Sequence, residues 1–229
     1  MCNEYKLRFI DGEWRWVHVS RAKRPIPGPQ GSFNFDAVRE AASDAREIVY
    51  HVFPDRIAPV IRKNKAGEIE MVDMRWGFPP VEPGARPVVN ARSLTSPYWK
   101  PWLGPQWRAL VPVSEFCEWT DTAPKQRRWF RLKDDEAFCF AALWRPWTGT
   151  RGTKSNPVSG EHLLFTILTT EANDVVRPIH AKAMPLILPR REWMNWLEAP
   201  EEAVFAIQRG GFPAEDMAEP ALEPLIPEE

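Results

Sequence analysis

Apolar and polar positions in this chain group into short blocks rather than long periodic stretches. The blocks Glu47–Phe53, Ile69–Trp76, Val88–Arg92, Arg108–Val113, Trp129–Leu132, Phe138–Leu143 and Leu163–Thr169 are rich in β-branched or aromatic residues, with Gly, Pro or charged turns between them. That cadence predicts a mainly antiparallel sheet or barrel. Helices are predicted at the periphery. A short one spans Phe35–Ala42, where Asn34 or Asp36 can cap it before the polar Ser43-Asp44 break. Others are expected over Glu171–Val176, over Arg191–Leu197 with its apolar Trp193, Met194 and Leu197, and over Glu201–Gln208 behind Pro200. The stretch Trp147–Glu161 (WTGTRGTKSNPVSGE) is rich in Gly, Ser and Thr and reads as an exposed loop. From Pro213 onward, acidic residues and prolines leave little surface to bury, which predicts a mobile tail. The expected fold is α+β, with one domain over 1–210, a β-barrel-like core and a tail over 211–229.

Composition narrows the possible functions. With 44% apolar and 27% charged residues in 229, one substantial core is the default. No run of eighteen apolar residues occurs, and the opening MCNEYKLRFIDGE lacks the apolar stretch of a signal peptide. A cytoplasmic location is therefore expected, with no membrane partner. The three cysteines, Cys2, Cys117 and Cys139, are odd in number and have no CxxC spacing, so free thiols are expected rather than disulfides or a zinc knuckle. A net charge of −1 excludes a strongly basic, nonspecific duplex binder and requires any nucleic-acid contact to be local. The twelve tryptophans are compatible with core filling and with base stacking alike.

Several residues carry candidate chemistry. If Met1 is removed, Cys2 presents an amine and a thiol on adjacent carbons. An α-amine of pKa ~8, against ~10.4 for Lys, is substantially neutral near pH 7 and forms a Schiff base with an aldehyde. The thiol can then close a five-membered thiazolidine. Judged by the first two residues alone, a small residue at a frayed terminus is the commoner case. Glu118 ends a strongly apolar run between Cys117 and Trp119, where a raised pKa would suit proton shuttling. The alternative is a strand whose polar face emerges there. His180 precedes the apolar Met184–Leu188 and suits proton transfer, although a lone His is more often structural. Asn90 and Arg92 alternate with Ala91, so Asn90 could hold a reacting terminus while Arg92 grips a phosphate, and an Asn-stabilised turn is the plainer account. Trp76 reads as core packing or as a base-stacking surface.

Cys2, WGF at Trp76–Phe78, NARS at Asn90–Ser93, LVP followed by FCEW, TTEAN at Thr169–Asn173 and IHAKAMPLIL occur in one order. Together they resemble the SOS response-associated peptidase (SRAP) family over roughly residues 1–200. The resemblance implies a positively charged channel leading to a mature N-terminal Cys, and covalent cross-linking to abasic sites in single-stranded DNA. It also implies self-removal of Met1 and no metal or organic cofactor. A monomer would suffice for a site built within one domain, and association with the nucleoid is expected when DNA is bound. By position, Cys2 resembles the nucleophile, Asn90 the group positioning its amine, Glu118 the acid/base and His180 the proton donor to the opening sugar. Arg92 resembles the phosphate contact and Trp76 the aromatic wall where the strand bends. Two stretches depart from the family's usual pattern. Asn3-Glu4 replaces Gly-Arg, so that Lys6 or Arg8 would have to supply the basic contact. His180-Ala181-Lys182-Ala183-Met184-Pro185 replaces His-Asp-Arg-Met-Pro, with Lys182 in place of Arg, which keeps charge but loses bidentate geometry. Two other functions compete: a thiol peptidase using Cys2, His180 and Glu118, and a non-catalytic single-strand-binding module.

Overall fold

A computed structural model describes residues 2–10, 47–82, 84–133 and 138–222, the side chains of 8–10 and 47–50 excepted. The helix expected over Phe35–Ala42 lies outside them. The strands are β1 (Glu4–Ile10), β2 (Glu47–Val52), β3 (Ile57–Lys63), β4 (Ile69–Trp76), β5 (Asn90–Ala91), β6 (Arg108–Val113), β7 (Glu115–Trp119), β8 (Arg127–Phe130), β9 (Phe138–Thr153), β10 (Asn156–Thr170), β11 (Met184–Pro185) and β12 (Ile187–Leu188). Two α-helices follow, α1 (Trp193–Glu198) and α2 (Ala203–Gly210). None among the described residues is long and apolar enough to cross a membrane.

Antiparallel pairing runs from β4 through β3, β6 and β9 to β10, and a parallel pairing of β10 with β4 closes the ring. The result is a five-stranded barrel with short helices around it, an α+β fold. Closure leaves its strands without free edges. A smaller antiparallel sheet, in the order β2-β1-β7-β8, packs beside it. The run RALVPVSEFCEW supplies one strand to each sheet, because the chain bends at Ser114, whose N–H donates to the Lys6 carbonyl. This bend carries β7, and Glu118 with it, away from the barrel wall and alongside β1.

Three sequence expectations are corrected. Trp147–Glu161 is not a loop but the outer half of the β9–β10 hairpin, paired from Trp147↔His162 to Thr153↔Asn156. Its polar composition reflects exposure, while stacking of Trp147 on His162 and a 2.8 Å bond between Thr150 and Ser159 hold the two arms together. At the tip Gly152 has φ +88°, and a Cβ there would lie 2.5 Å from the Asn156 carbonyl oxygen, so only glycine fits. Glu171–Val176 is a run of turns rather than a helix. The Asn173 side chain accepts from the N–H groups of Val175 and Val176, and Pro178 prevents helical continuation. The segment from Pro213 is docked at least to Ala221. Met217 is buried and bridges to Leu132, and Ala221 exchanges backbone hydrogen bonds with Trp129. An apolar Met among the acids supplies the anchor.

Arg108, at the start of β6, is fully enclosed. Its guanidinium donates to the carbonyls of Leu103, Trp196 and Pro200 and lies 4.9 Å from the Trp196 ring centre, joining the barrel to α1 and the turn before α2. Burial pulls its pKa down to about 10, and it remains charged at neutral pH. Arg108→Ala would strand buried carbonyls and open a void. We expect it to lower stability by about 3 kcal/mol, read as a reduced urea midpoint.

Candidate active site

The site forms where β1, β5 and β7 meet. Cys2 precedes β1, which is registered on β7 by the Glu4↔Cys117 pair. The Cys2 side chain has no solvent exposure, and its Sγ–H donates to the Glu4 carbonyl at 3.4 Å. Parallel pairing with Ile167 of β10 fixes Asn90 on β5. From there Asn90 Nδ2 donates to the Cys2 carbonyl at 3.0 Å. Asn90 Oδ1 is buried without a hydrogen-bond partner among the described residues, leaving an acceptor beside Cys2.

Burial dominates the electrostatics. Glu118 is almost wholly enclosed, and desolvation raises its carboxyl pKa to about 7, against the pull of the positive amino terminus. Desolvation also pushes the Cys2 thiol well above its ordinary range, and the negative charge of Glu118 adds to the effect. At neutral pH Cys2 is therefore a thiol rather than a thiolate, next to a carboxyl poised to give or take a proton. His180 is also buried, and desolvation lowers its pKa. The amino-terminal charge lowers it further, while Asp121 opposes the shift.

Asp121 was not singled out in the sequence. Its carboxylate lies 3.4 Å from His180 Nδ1 and accepts the Ala181 N–H, while its own N–H donates to the Ile179 carbonyl. The Ala181 N–H is the main reason its pKa is depressed. Asp121 thus holds the backbone on both sides of His180 as well as the ring. The only signal in the sequence is an acid three residues after Glu118, in EWTD.

The expected DNA contacts separate into different environments. Arg92 and Lys182 are exposed and adjacent, with Arg92 Nη2 donating to the Lys182 carbonyl at 2.7 Å and Gln208 holding the Arg92 carbonyl. Lys6 is not a DNA contact. It is fully enclosed, with its ammonium 3.6 Å from Glu115 and 4.4 Å from the Trp129 ring centre, because the β1–β7 register sets Lys6 opposite Glu115. The side chain of Arg8 lies outside the described residues. Nor is Trp76 an open wall. It has no exposed surface, its indole N–H donates to the Val89 carbonyl, and it packs against Phe165 and Tyr5. An enclosed indole offers no face to a base, so Trp76 is core. Glu4, which stands where the family usually has Arg, is buried and paired with His51 at 3.3 Å and Arg127 at 3.5 Å.

The fold is a single barrel domain, with Asn90 and Glu118 gathered round Cys2 at its amino-terminal end. The chain belongs to the SOS response associated peptidase (SRAP) family, whose model matches residues 14–218. Asn90, Glu118 and His180 fall inside the matched stretch and Cys2 precedes it. Membership supports a DNA-damage-associated role. Among solved structures, the chain is similar to a protein from Bordetella bronchiseptica, with TM-score 0.67 and 20% identity over 98% of this chain and 100% of that one. It is also similar to a phage-related protein from Bordetella bronchiseptica (TM-score 0.63, 19% identity, 96% and 94% covered) and to a protein from Bacteroides thetaiotaomicron (0.60, 23%, 77% and 78%). At these identities the likeness shows a shared fold. No curated protein matches the sequence.

Proposed function

We propose that, once Met1 is removed, Cys2 captures the aldehyde of an abasic site in single-stranded DNA as a thiazolidine. The α-amine adds to the aldehyde carbon to give a carbinolamine, which loses water to form an imine. The thiol sulfur then adds to the imine carbon while its proton passes to nitrogen. One amine, one thiol and one aldehyde give one thiazolidine and one water. The observation that carries this reading is the pairing at Cys2 of the Asn90 hydrogen bond with a carboxyl of pKa about 7. Asn90 orients the terminus, and Glu118 takes the amine proton and returns it to the departing hydroxyl. His180, braced by Asp121, serves the oxygen of the opening sugar. Arg92 and Lys182 supply positive charge for a DNA phosphate.

The His180–Asp121 pair also fits a second reading, a thiol peptidase in which His180 is the base. The raised pKa of Cys2 favours the first, because thiol acyl transfer needs a ready thiolate whereas imine formation begins at the amine. Intact mass of the purified protein before and after incubation with an abasic oligonucleotide tests the proposal. We expect loss of Met1, followed by a gain equal to the oligonucleotide less one water. A folded, Met1-free protein whose mass never changes would sink it and leave a non-covalent single-strand binder.

A further inference from the structure

A second polar site lies between the turn after β2 and the tip of the β9–β10 hairpin. A groove of about 850 Å3 opens there, lined by Asp55, Arg56, Arg75, Asn156 and Ser159 among others. Its single acid is already occupied. Asp55 accepts from Arg151 Nε at 2.9 Å, with Nη2 at 2.7 Å, and from the Gly152 N–H at 3.0 Å. Arg151 Nη1 also donates to the Gly77 carbonyl. Two further guanidinium groups remain. The Arg75 side chain is nine-tenths buried, with Nη1 on the Asp55 carbonyl and 3.8 Å from the Asp55 carboxylate, and its Nε has no hydrogen-bond partner among the described residues. Arg56 is exposed, and its side chain makes no hydrogen bond or ion pair with a described residue.

The turn that presents them has an uncommon backbone conformation. Asp55 has φ +66°, the one positive φ of a non-glycine among the described residues. The conformation is held by the Asp55 N–H on the Trp76 carbonyl and by the Trp76 N–H on the Arg56 carbonyl. Arg56, Arg75 and Arg151 against Asp55 leave two net positive charges around the groove, and burial makes the Arg75 charge costly, an effect Asp55 opposes and the neighbouring arginines add to. A buried guanidinium N–H without an acceptor, in a cluster with an excess of positive charge, is the complement of an anion with several oxygens.

We propose that this groove is a binding site for a phosphate group, held by Arg75 and Arg56. Its phosphate comes from a nucleic-acid backbone or from a small phosphorylated molecule, and the same protein can tell the two apart. The full chain carrying Cys2→Ala would be titrated with inorganic phosphate, following the Arg75 Nε–H resonance by NMR. The same protein would be titrated with a labelled, undamaged single-stranded oligonucleotide over a range of salt. We expect a saturable shift at Arg75, and about tenfold weaker phosphate binding in Arg56→Ala. If the source is a DNA backbone, Arg56→Ala also reduces the salt slope of oligonucleotide binding by about 0.7. If it is a small molecule, the phosphate result stands and the slope is unchanged. Both outcomes uphold the site. No shift at Arg75, together with an unchanged slope in folded Arg56→Ala and Arg75→Gln proteins, overturns it. Arg56 is exposed, so its replacement leaves the fold intact. Cross-linking plays no part in this test, so the proposal at Cys2 and this one fail separately.

Discussion

Cys2→Ala is expected to abolish the heat-stable adduct with abasic single-stranded DNA while leaving one that only borohydride can trap. In protein freed of Met1 by an added methionine aminopeptidase and checked by intact mass, the substitution keeps the α-amine and deletes only the sulfur. The amine still reaches the aldehyde and loses water to an imine. Without the thiol the imine has no ring to close, so heating in water hydrolyses it and reduction is needed to fix the bond. Loss of one small buried side-chain atom costs about 1 kcal/mol, so the variant folds. On denaturing gels the wild-type adduct should survive heating without reductant, and the Cys2→Ala adduct should fall to background unless it is first reduced. A thiol peptidase predicts otherwise: no reducible adduct in the variant, and turnover of added peptides by the wild type. A heat-stable adduct from Cys2→Ala at the wild-type level would remove Cys2 from the chemistry altogether.

Short-range patterning made the class of fold legible. Blocks such as Ile69–Trp76 and Arg108–Val113 coincide with β4 and β6, since β-branched and aromatic residues between turn formers suit a pleated, half-buried surface. Long-range pairing was not legible. RALVPVSEFCEW reads as one apolar run, yet Ser114 divides it between two sheets, and only that bend explains why Glu118 ends buried beside Cys2. Lys6 looks like a solvated charge until the β1–β7 register places Glu115 opposite it. Trp76 follows Arg75 in a strand whose faces alternate, and the inward face belongs to the tryptophan. The same limit hid Asp121, whose value lies in its distance from His180. Cys2, Asn90, Glu118 and His180 were singled out as candidates by residue chemistry and then by motif order, which records a shared fold without describing it. Contacts set by the barrel itself, including the Arg75 groove, left no such mark.

Glu118→Gln is expected to slow cross-linking by about 10²–10⁴-fold while stabilising the protein at neutral pH. The two effects share one cause. An ordinary glutamate titrates near 4.5, whereas burial raises Glu118 to about 7 in the folded protein. Between those values the folded state holds a proton that the unfolded state has released. Stability is therefore fully present below about 4.5 and is lost as pH rises through about 7. A shift of that size amounts to about 3 kcal/mol, and a neutral amide of the same shape avoids it. Urea denaturation across this range should show the wild type weakening with pH and Glu118→Gln holding nearly level, so the variant's advantage grows toward pH 8. Loss of the carboxylate's attraction for the amino terminus subtracts part of that advantage. A purely structural glutamate would lower stability and rate together on replacement. Opposed changes, with slower capture by a more stable protein, are what a carboxyl kept buried for proton transfer predicts. A variant that captures abasic DNA at the wild-type rate would show that the buried carboxyl serves another purpose.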